Sequence, residues 1–214
     1  MNNEHLSKPN RSPQDRYRDG WLRFVYIILW PVFNLFRPLH IYGRENIPQG
    51  AAVICPNHVT LRDPFYVLFA FTMRNPIRAM AKIEIMRLPI AGWVLKQAGV
   101  FGVERGTVDA KAVKNALTCL KEGNKLLMFP EGTRVRDGKE VTAKTGAAMF
   151  ATRTGVPLMP IYVQPGKGWF ASNSVVIGKP FYPEFEGRKP TADELSAITD
   201  DLMRRIYALK EVLP

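Results

Sequence analysis

From residue 51 to residue 209 the chain alternates short apolar runs rich in β-formers with longer stretches of helical character. Residues 51–55, 77–81, 100–103, 125–129, 157–163 and 174–177 read as strands. Residues 64–71, 88–98, 107–122, 145–154 and 191–209 read as helices, with Gly123 and Gly155 as stops. Strands that return only after a helix are joined by crossovers. The expected fold class is therefore α/β: a single layered domain with a central mixed sheet flanked by helices. We find no internal repeat, heptad pattern or low-complexity tract to argue for another architecture.

The N-terminal part departs from this alternation. Residues 1–20 are polar, with Pro9 and Pro13, and read as a mobile lead-in. An unbroken apolar stretch then runs over residues 24–33. A membrane-spanning helix needs about 20 apolar residues, so this one is too short, and Pro31 and Asn34 weaken it further. The expectation is a short membrane-interface helix. Trp21, Tyr26 and Trp30 would sit at headgroup depth, and Arg16, Arg18, Arg23 and Arg37 would meet lipid phosphates. A buried core helix is the alternative.

Charge separates the classes of partner only in part. Lys and Arg number 30 against 19 Asp and Glu, a formal net charge of +11. That surplus favours an anionic membrane or nucleic acid. The nucleic-acid reading lacks zinc-finger spacing, an RNA-binding aromatic motif and a long basic helix, so no nucleic-acid partner is expected. Two cysteines, Cys55 and Cys119, fit a reducing compartment. The three histidines, His5, His40 and His58, form no zinc-ligand pattern with them. No metal and no bound cofactor are expected.

Chemistry gathers where strands end. Cys55-Pro-Asn57-His58-Val-Thr60-Leu-Arg-Asp63-Pro64 follows a buried strand and opens a helix, with Asp63 as N-cap and Pro64 at the first helical position. If this turn folds back, the Asp63 carboxylate accepts the Nδ1 proton of His58. Nε2 is then free to take a proton from a substrate hydroxyl. This is the His-Asp half of a hydrolase triad without the serine, since no Gly-x-Ser-x-Gly occurs. The nucleophile is then the substrate's own hydroxyl. The plain alternative makes Asp63 a helix cap and His58 a loop histidine. Cys55 offers a rival, covalent mechanism, against a role as a small buried strand residue.

A second stretch, Phe129-Pro-Glu131-Gly132-Thr133-Arg134, places a glycine turn and an arginine after another strand, a pattern suited to an anion. Arg105, in Gly99-x5-Arg105, ends a third strand. Arg105 and Arg134 would converge on one phosphate, with Lys82 and Lys144 as further candidates. The apolar segment 65–71 reads equally as the wall of an acyl tunnel or as core.

Asn57-His58-x4-Asp63, Gly99-x5-Arg105, Phe129-Pro-Glu-Gly-Thr-Arg134 and Val156-Pro-Leu-Met-Pro160 stand in the order and spacing of the motif blocks of the glycerolipid acyltransferases. The chain resembles the 1-acylglycerol-3-phosphate acyltransferase branch over residues 39–180. The resemblance implies His58 as general base and Asp63 as its orienter. It implies Arg105 and the turn Glu131, Gly132, Thr133, Arg134 as holders of the acceptor's phosphate, and Pro160 as a residue shaping the pocket. The chain is read as a mobile lead-in and hydrophobic membrane-anchoring helix over 1–37, followed by an acyltransferase domain over 38–214. Partners would be a lysophospholipid acceptor, acyl-CoA or acyl carrier protein as donor, and a membrane surface. The location would be the cytoplasmic face of the cell membrane, peripheral or monotopic. Glycerol-3-phosphate or another lysophospholipid remains open as acceptor, as does a non-catalytic membrane-binding role.

Overall fold

The computed structural model describes residues 12–36, 38–71, 77–104, 109–135, 142–164 and 172–213. A long helix α1 (Pro13–Phe36) leads into strand β1 (Leu39–Tyr42) and then β2 (Ala52–Pro56), helix α2 (Asp63–Phe71) and β3 (Ile77–Lys82). Two short helices, α3 (Ile83–Arg87) and α4 (Pro89–Gln97), precede β4 (Phe101–Val103), α5 (Ala110–Lys121) and β5 (Lys125–Leu127). Then follow α6 (Gly146–Thr154), β6 (Leu158–Gln164), β7 (Asn173–Ile177) and α7 (Ala192–Ala208).

The described strands form one seven-stranded sheet in the order β1-β7-β6-β2-β5-β3-β4. All neighbours are parallel except β6 and β7. The fold is the expected α/β domain with a central mixed sheet. β2 lies at its centre and is buried at every position, so it is apolar on both faces. Val53 and Cys55 face one layer, with Ala116 and Leu120 of α5, Ala147 and Ala151 of α6, and Leu202 and Ile206 of α7. Ala52 and Ile54 face the other, with Tyr66, Val67, Ala70 and Phe71 of α2 and Phe33 of α1. Segment 65–71 is therefore chiefly core.

Local chemistry explains the ends of the elements. Asp109 caps α5 by accepting the Ala112 N–H at 2.9 Å. Thr191 and Glu194 form a reciprocal capping box at the start of α7. The strand β1 and the helix α3 were not anticipated: four and five residues are too short to carry a period.

The N-terminal expectation needs two corrections. The lead-in was placed up to residue 20, but α1 begins at Pro13. Ser12 Oγ accepts the Asp15 N–H at 3.1 Å and donates to Asp15 Oδ2 at 2.8 Å. Serine at N-cap, proline at N1 and aspartate at N3 are a helix start. Nor do Trp21, Tyr26 and Trp30 turn away from the protein. Tyr26 and Trp30 pack edge-on against Phe69, and Trp21 against Trp93. The outward stripe is instead Phe24, Ile27, Ile28, Val32 and Leu35. Arg18 lies near Asp15 at 3.9 Å, and Arg37 falls outside the described residues. No helix among the described residues is long and apolar enough to cross a membrane.

Candidate active site

In an open α/β sheet, ligands bind beyond the carboxyl ends of the parallel strands. β2 and β5 are neighbours, and both loops singled out in the sequence leave from those ends. Asn57 begins the β2 loop and stitches it to β6. Its Nδ2 donates to the Val163 carbonyl at 3.0 Å, and its Oδ1 accepts the Val163 N–H at 2.6 Å. His58 is thereby held at a fixed point above the sheet.

Asp63 is fully buried. Its Oδ2 meets His58 Nδ1 at 3.0 Å and accepts the N–H groups of Val59 and Thr60, each at 2.7 Å. Its Oδ1 accepts the Thr60 hydroxyl at 2.5 Å. The turn folds back as the His-x4-Asp spacing requires. One correction follows: Asp63 does not act as a forward cap on α2, because its carboxylate reaches back to the loop behind it. An ionised carboxylate only accepts, so Nδ1 carries the imidazole proton and Nε2 presents a lone pair. Among the described residues Nε2 has no hydrogen-bond partner, and the His58 side chain retains 12% exposure.

The loop after β5 grips His58 from the other side. The Phe129 ring stacks on the imidazole with centroids 4.1 Å apart. Glu131 Oε2 accepts the His58 N–H at 2.7 Å, and the Val135 N–H donates to the His58 carbonyl at 2.8 Å. Glu131 Oε1 accepts the Tyr207 hydroxyl at 2.7 Å. Burial raises the Glu131 carboxyl above its ordinary range, opposed by the bonds from Tyr207 and the His58 N–H. Burial, and then the Glu131 carboxylate, push the Tyr207 phenol up in turn. Gly132 turns the chain with φ +66°, a left-handed value that favours glycine. The Lys144 N–H donates to the Pro130 carbonyl at 2.7 Å and closes the loop.

The anticipated phosphate site is only partly assembled by these contacts. Gly132, Thr133 and Arg134 lie together beside His58, with Thr133 exposed and Arg134 half-buried. Glu131 is corrected: the residue is 1% exposed and its carboxylate is turned inward onto two donors, so its side chain braces the loop and does not face an anion. Arg105 lies outside the described residues. Lys82 ends β3, with β5 between it and β2, and its ammonium pairs with Glu84 at 3.1 Å. Pro160 is buried within β6, level with Cys55. Cys55 points into the layer of α5, α6 and α7, on the opposite face from α2, and burial pushes its thiol up. Both facts disfavour a thiolate nucleophile. Among the described residues no group of His, Cys, Asp and Glu could hold a metal ion. Tyr207 was missed altogether. It stands 76 residues beyond Glu131, on a helix whose pattern reads only as amphipathic.

The arrangement provides an imidazole with a fixed tautomer, a buried carboxylate bonded to it, and a glycine-arginine turn beside it. Comparison with known proteins agrees. The family model described as Acyltransferase matches residues 38–164, more than half of the chain. The 1-acyl-sn-glycerol-3-phosphate acyltransferase of Borreliella burgdorferi is 31% identical over 138 residues, 63% of this chain and 54% of its own length. The matched stretch thus spans only about half of that relative. The protein of the same name from Pseudomonas aeruginosa is 28% identical over 83% of this chain and 73% of its own length. That from Bacillus subtilis is 29% identical over 89% and 98%. Among solved structures, the 1-acyl-sn-glycerophosphate (LPA) acyltransferase PlsC from Thermotoga maritima superposes with a TM-score of 0.71. It covers 95% of this chain and 84% of its own, at 23% identity, and so supports the fold.

Proposed function

Because the chain belongs to the acyltransferase family, we propose that it moves a fatty acyl group from a thioester donor to the 2-hydroxyl of lysophosphatidate, giving phosphatidate. The donor is acyl-CoA or acyl carrier protein, since both present a thioester on a pantetheine arm. The observation that carries the reading is the His58 Nδ1–Asp63 Oδ2 bond of 3.0 Å, with Nε2 unpartnered among the described residues.

In this mechanism His58 Nε2 takes the hydroxyl proton as the acceptor oxygen bonds to the thioester carbonyl carbon. Asp63 supports the imidazolium that forms. The tetrahedral oxyanion then collapses, the C–S bond breaks and the sulfur leaves as thiolate. That thiolate takes its proton from His58 or water, being a far better leaving group than an alkoxide. Arg134, with the backbone of Gly132 and Thr133, holds the acceptor's phosphate and so aims the hydroxyl at Nε2. The same reading gives Arg105 and Lys82 the role of further cations for that phosphate.

The proposed division of labour gives residues 38–214 the acyl transfer and residues up to 37 a membrane contact. The outward apolar stripe of α1 and the net charge of +11 support a peripheral or monotopic seat on the anionic cytoplasmic leaflet. The test is an acceptor panel. Protein in mild detergent is incubated with labelled oleoyl-CoA, then with acyl carrier protein charged with the same chain. The acceptors are lysophosphatidate, glycerol-3-phosphate and lysophosphatidylethanolamine. Labelled phosphatidate from lysophosphatidate is expected. Product from a different acceptor only would reassign the substrate, and no product with either donor would contradict catalysis.

A further inference from the structure

α1 does not stand alone on the surface. α4 runs antiparallel beside it, as three contacts fix. Tyr17 Oη donates to Gln97 Oε1 at 3.0 Å. Trp21 Nε1 donates to the Val94 carbonyl at 3.1 Å. The Trp21 ring meets the Trp93 ring edge-on at 5.3 Å. Rising numbers on α1 meet falling numbers on α4. One further turn along this register brings Phe24 level with Ile90, with Ile28 a turn beyond it toward α3.

A group of the apolar residues left exposed among the described residues lies along that register. Trp21 links Phe24, 5.5 Å away on one side, to Trp93 on the other. Trp93 and Leu88 are each 53% exposed and Ile90 78%, and Ile85 is exposed on α3. One exposed leucine means nothing, but apolar residues in register on adjoining helices form a patch. Their exposure does not come from a slack backbone. The Gly92 N–H donates to the Leu88 carbonyl at 2.8 Å. A Cβ on Gly92 would lie 2.2 Å from the Met86 carbonyl oxygen, so α3 and α4 are locked at a distance only glycine allows. The rigid tip holds Leu88, Pro89 and Ile90 outward.

Charge identifies the occupant. Arg16, Arg23, Arg87 and Lys96 are exposed on these helices. The carboxylates among them are engaged: Asp15 and Asp19 on Arg78, Glu84 on Lys82. We propose that α3 and α4, together with the outward stripe of α1, form one surface that docks on an anionic lipid leaflet, with residues 88–93 entering the headgroup boundary. This rests on the reading of a lipid acceptor. α3 leaves β3 at Lys82, on the same sheet edge from which the His58 loop leaves β2, so docking turns the active-site edge to the leaflet that holds the acceptor.

The test uses the full chain carrying Leu88→Glu and Ile90→Glu, both at exposed positions. Co-sedimentation is measured with vesicles of phosphatidylcholine alone and with phosphatidylglycerol added. Turnover is measured on a short-chain, water-soluble lysophosphatidate. The variant is expected to lose roughly tenfold or more in partitioning to anionic vesicles while turnover of the soluble acceptor stays unchanged. Unchanged partitioning would overturn the proposal. So would equal loss of soluble turnover, which would put α3 and α4 in the reaction site. A wild-type dimer split by the variant, with vesicle binding intact, would make a second copy the occupant and overturn it too. Sedimentation does not depend on turnover. An inactive wild type that still binds vesicles through these residues would sink the proposed reaction and leave the docking surface standing.

Discussion

Asp63 and Glu131 are two buried carboxylates with different tasks around one histidine. Asp63 holds the imidazole and Glu131 holds the backbone N–H of the same residue. The first task was readable, because a His-x4-Asp spacing across a helix start permits one fold-back. The second was not, because a Glu in a glycine turn reads as surface until its direction is known. Tyr207 completes the set, and its ring lies 6.2 Å from that of Tyr162. The groups facing Glu131 are His58, Asp63 and Tyr207, with Tyr162 behind the tyrosine. The Tyr207 hydroxyl donates to the ionised carboxylate and so opposes the rise caused by burial. Tyr207→Phe removes that bond and lifts the Glu131 carboxyl further. Once protonated, Glu131 holds the His58 N–H less firmly. The variant should therefore lose activity at a higher pH than the wild type as pH falls, with an unchanged KM for the donor. A lowered melting temperature with an unmoved pH–rate profile would reduce Tyr207 to a packing role.

At the scale of elements, α1 shows what pattern can and cannot deliver. Its apolar run was visible, and so in retrospect was its start at Ser12-Pro13-Gln14-Asp15. Its attachment was not, because the partners are far away in sequence. Arg78 Nη2, at the N-terminal end of β3, donates to Asp19 at 2.7 Å and to Asp15 at 3.3 Å. The side chains are 3%, 12% and 8% exposed, so this is a buried ion cluster. Removing one member of such a cluster costs far more than the cluster itself contributes. Arg78→Met should destabilise the protein by about 3 kcal/mol, read as a thermal midpoint lower by roughly 10 °C. A midpoint within a degree of the wild type would mean that α1 is held by its other contacts and that the ion cluster adds nothing to them.

Over the whole molecule, the alternation of runs made the α/β sheet predictable, because each crossover helix announces a parallel pair. The order of strands was not predictable, since nothing local says that β2 sits between β5 and β6. That order is what brings the His58 loop and the Gly132 turn together. It also leaves α1, α3 and α4 along one flank with apolar side chains outward. Membrane contact, acceptor phosphate and base would then act as parts of a single geometry. The central claim is that His58 activates the acceptor's own hydroxyl. It is tested most directly by the rate of labelled phosphatidate formation from lysophosphatidate, wild type against His58→Ala, at equal concentrations of folded protein. The account predicts a loss of roughly 10²- to 10⁴-fold with no change in vesicle binding. An equal rate in the variant would contradict it.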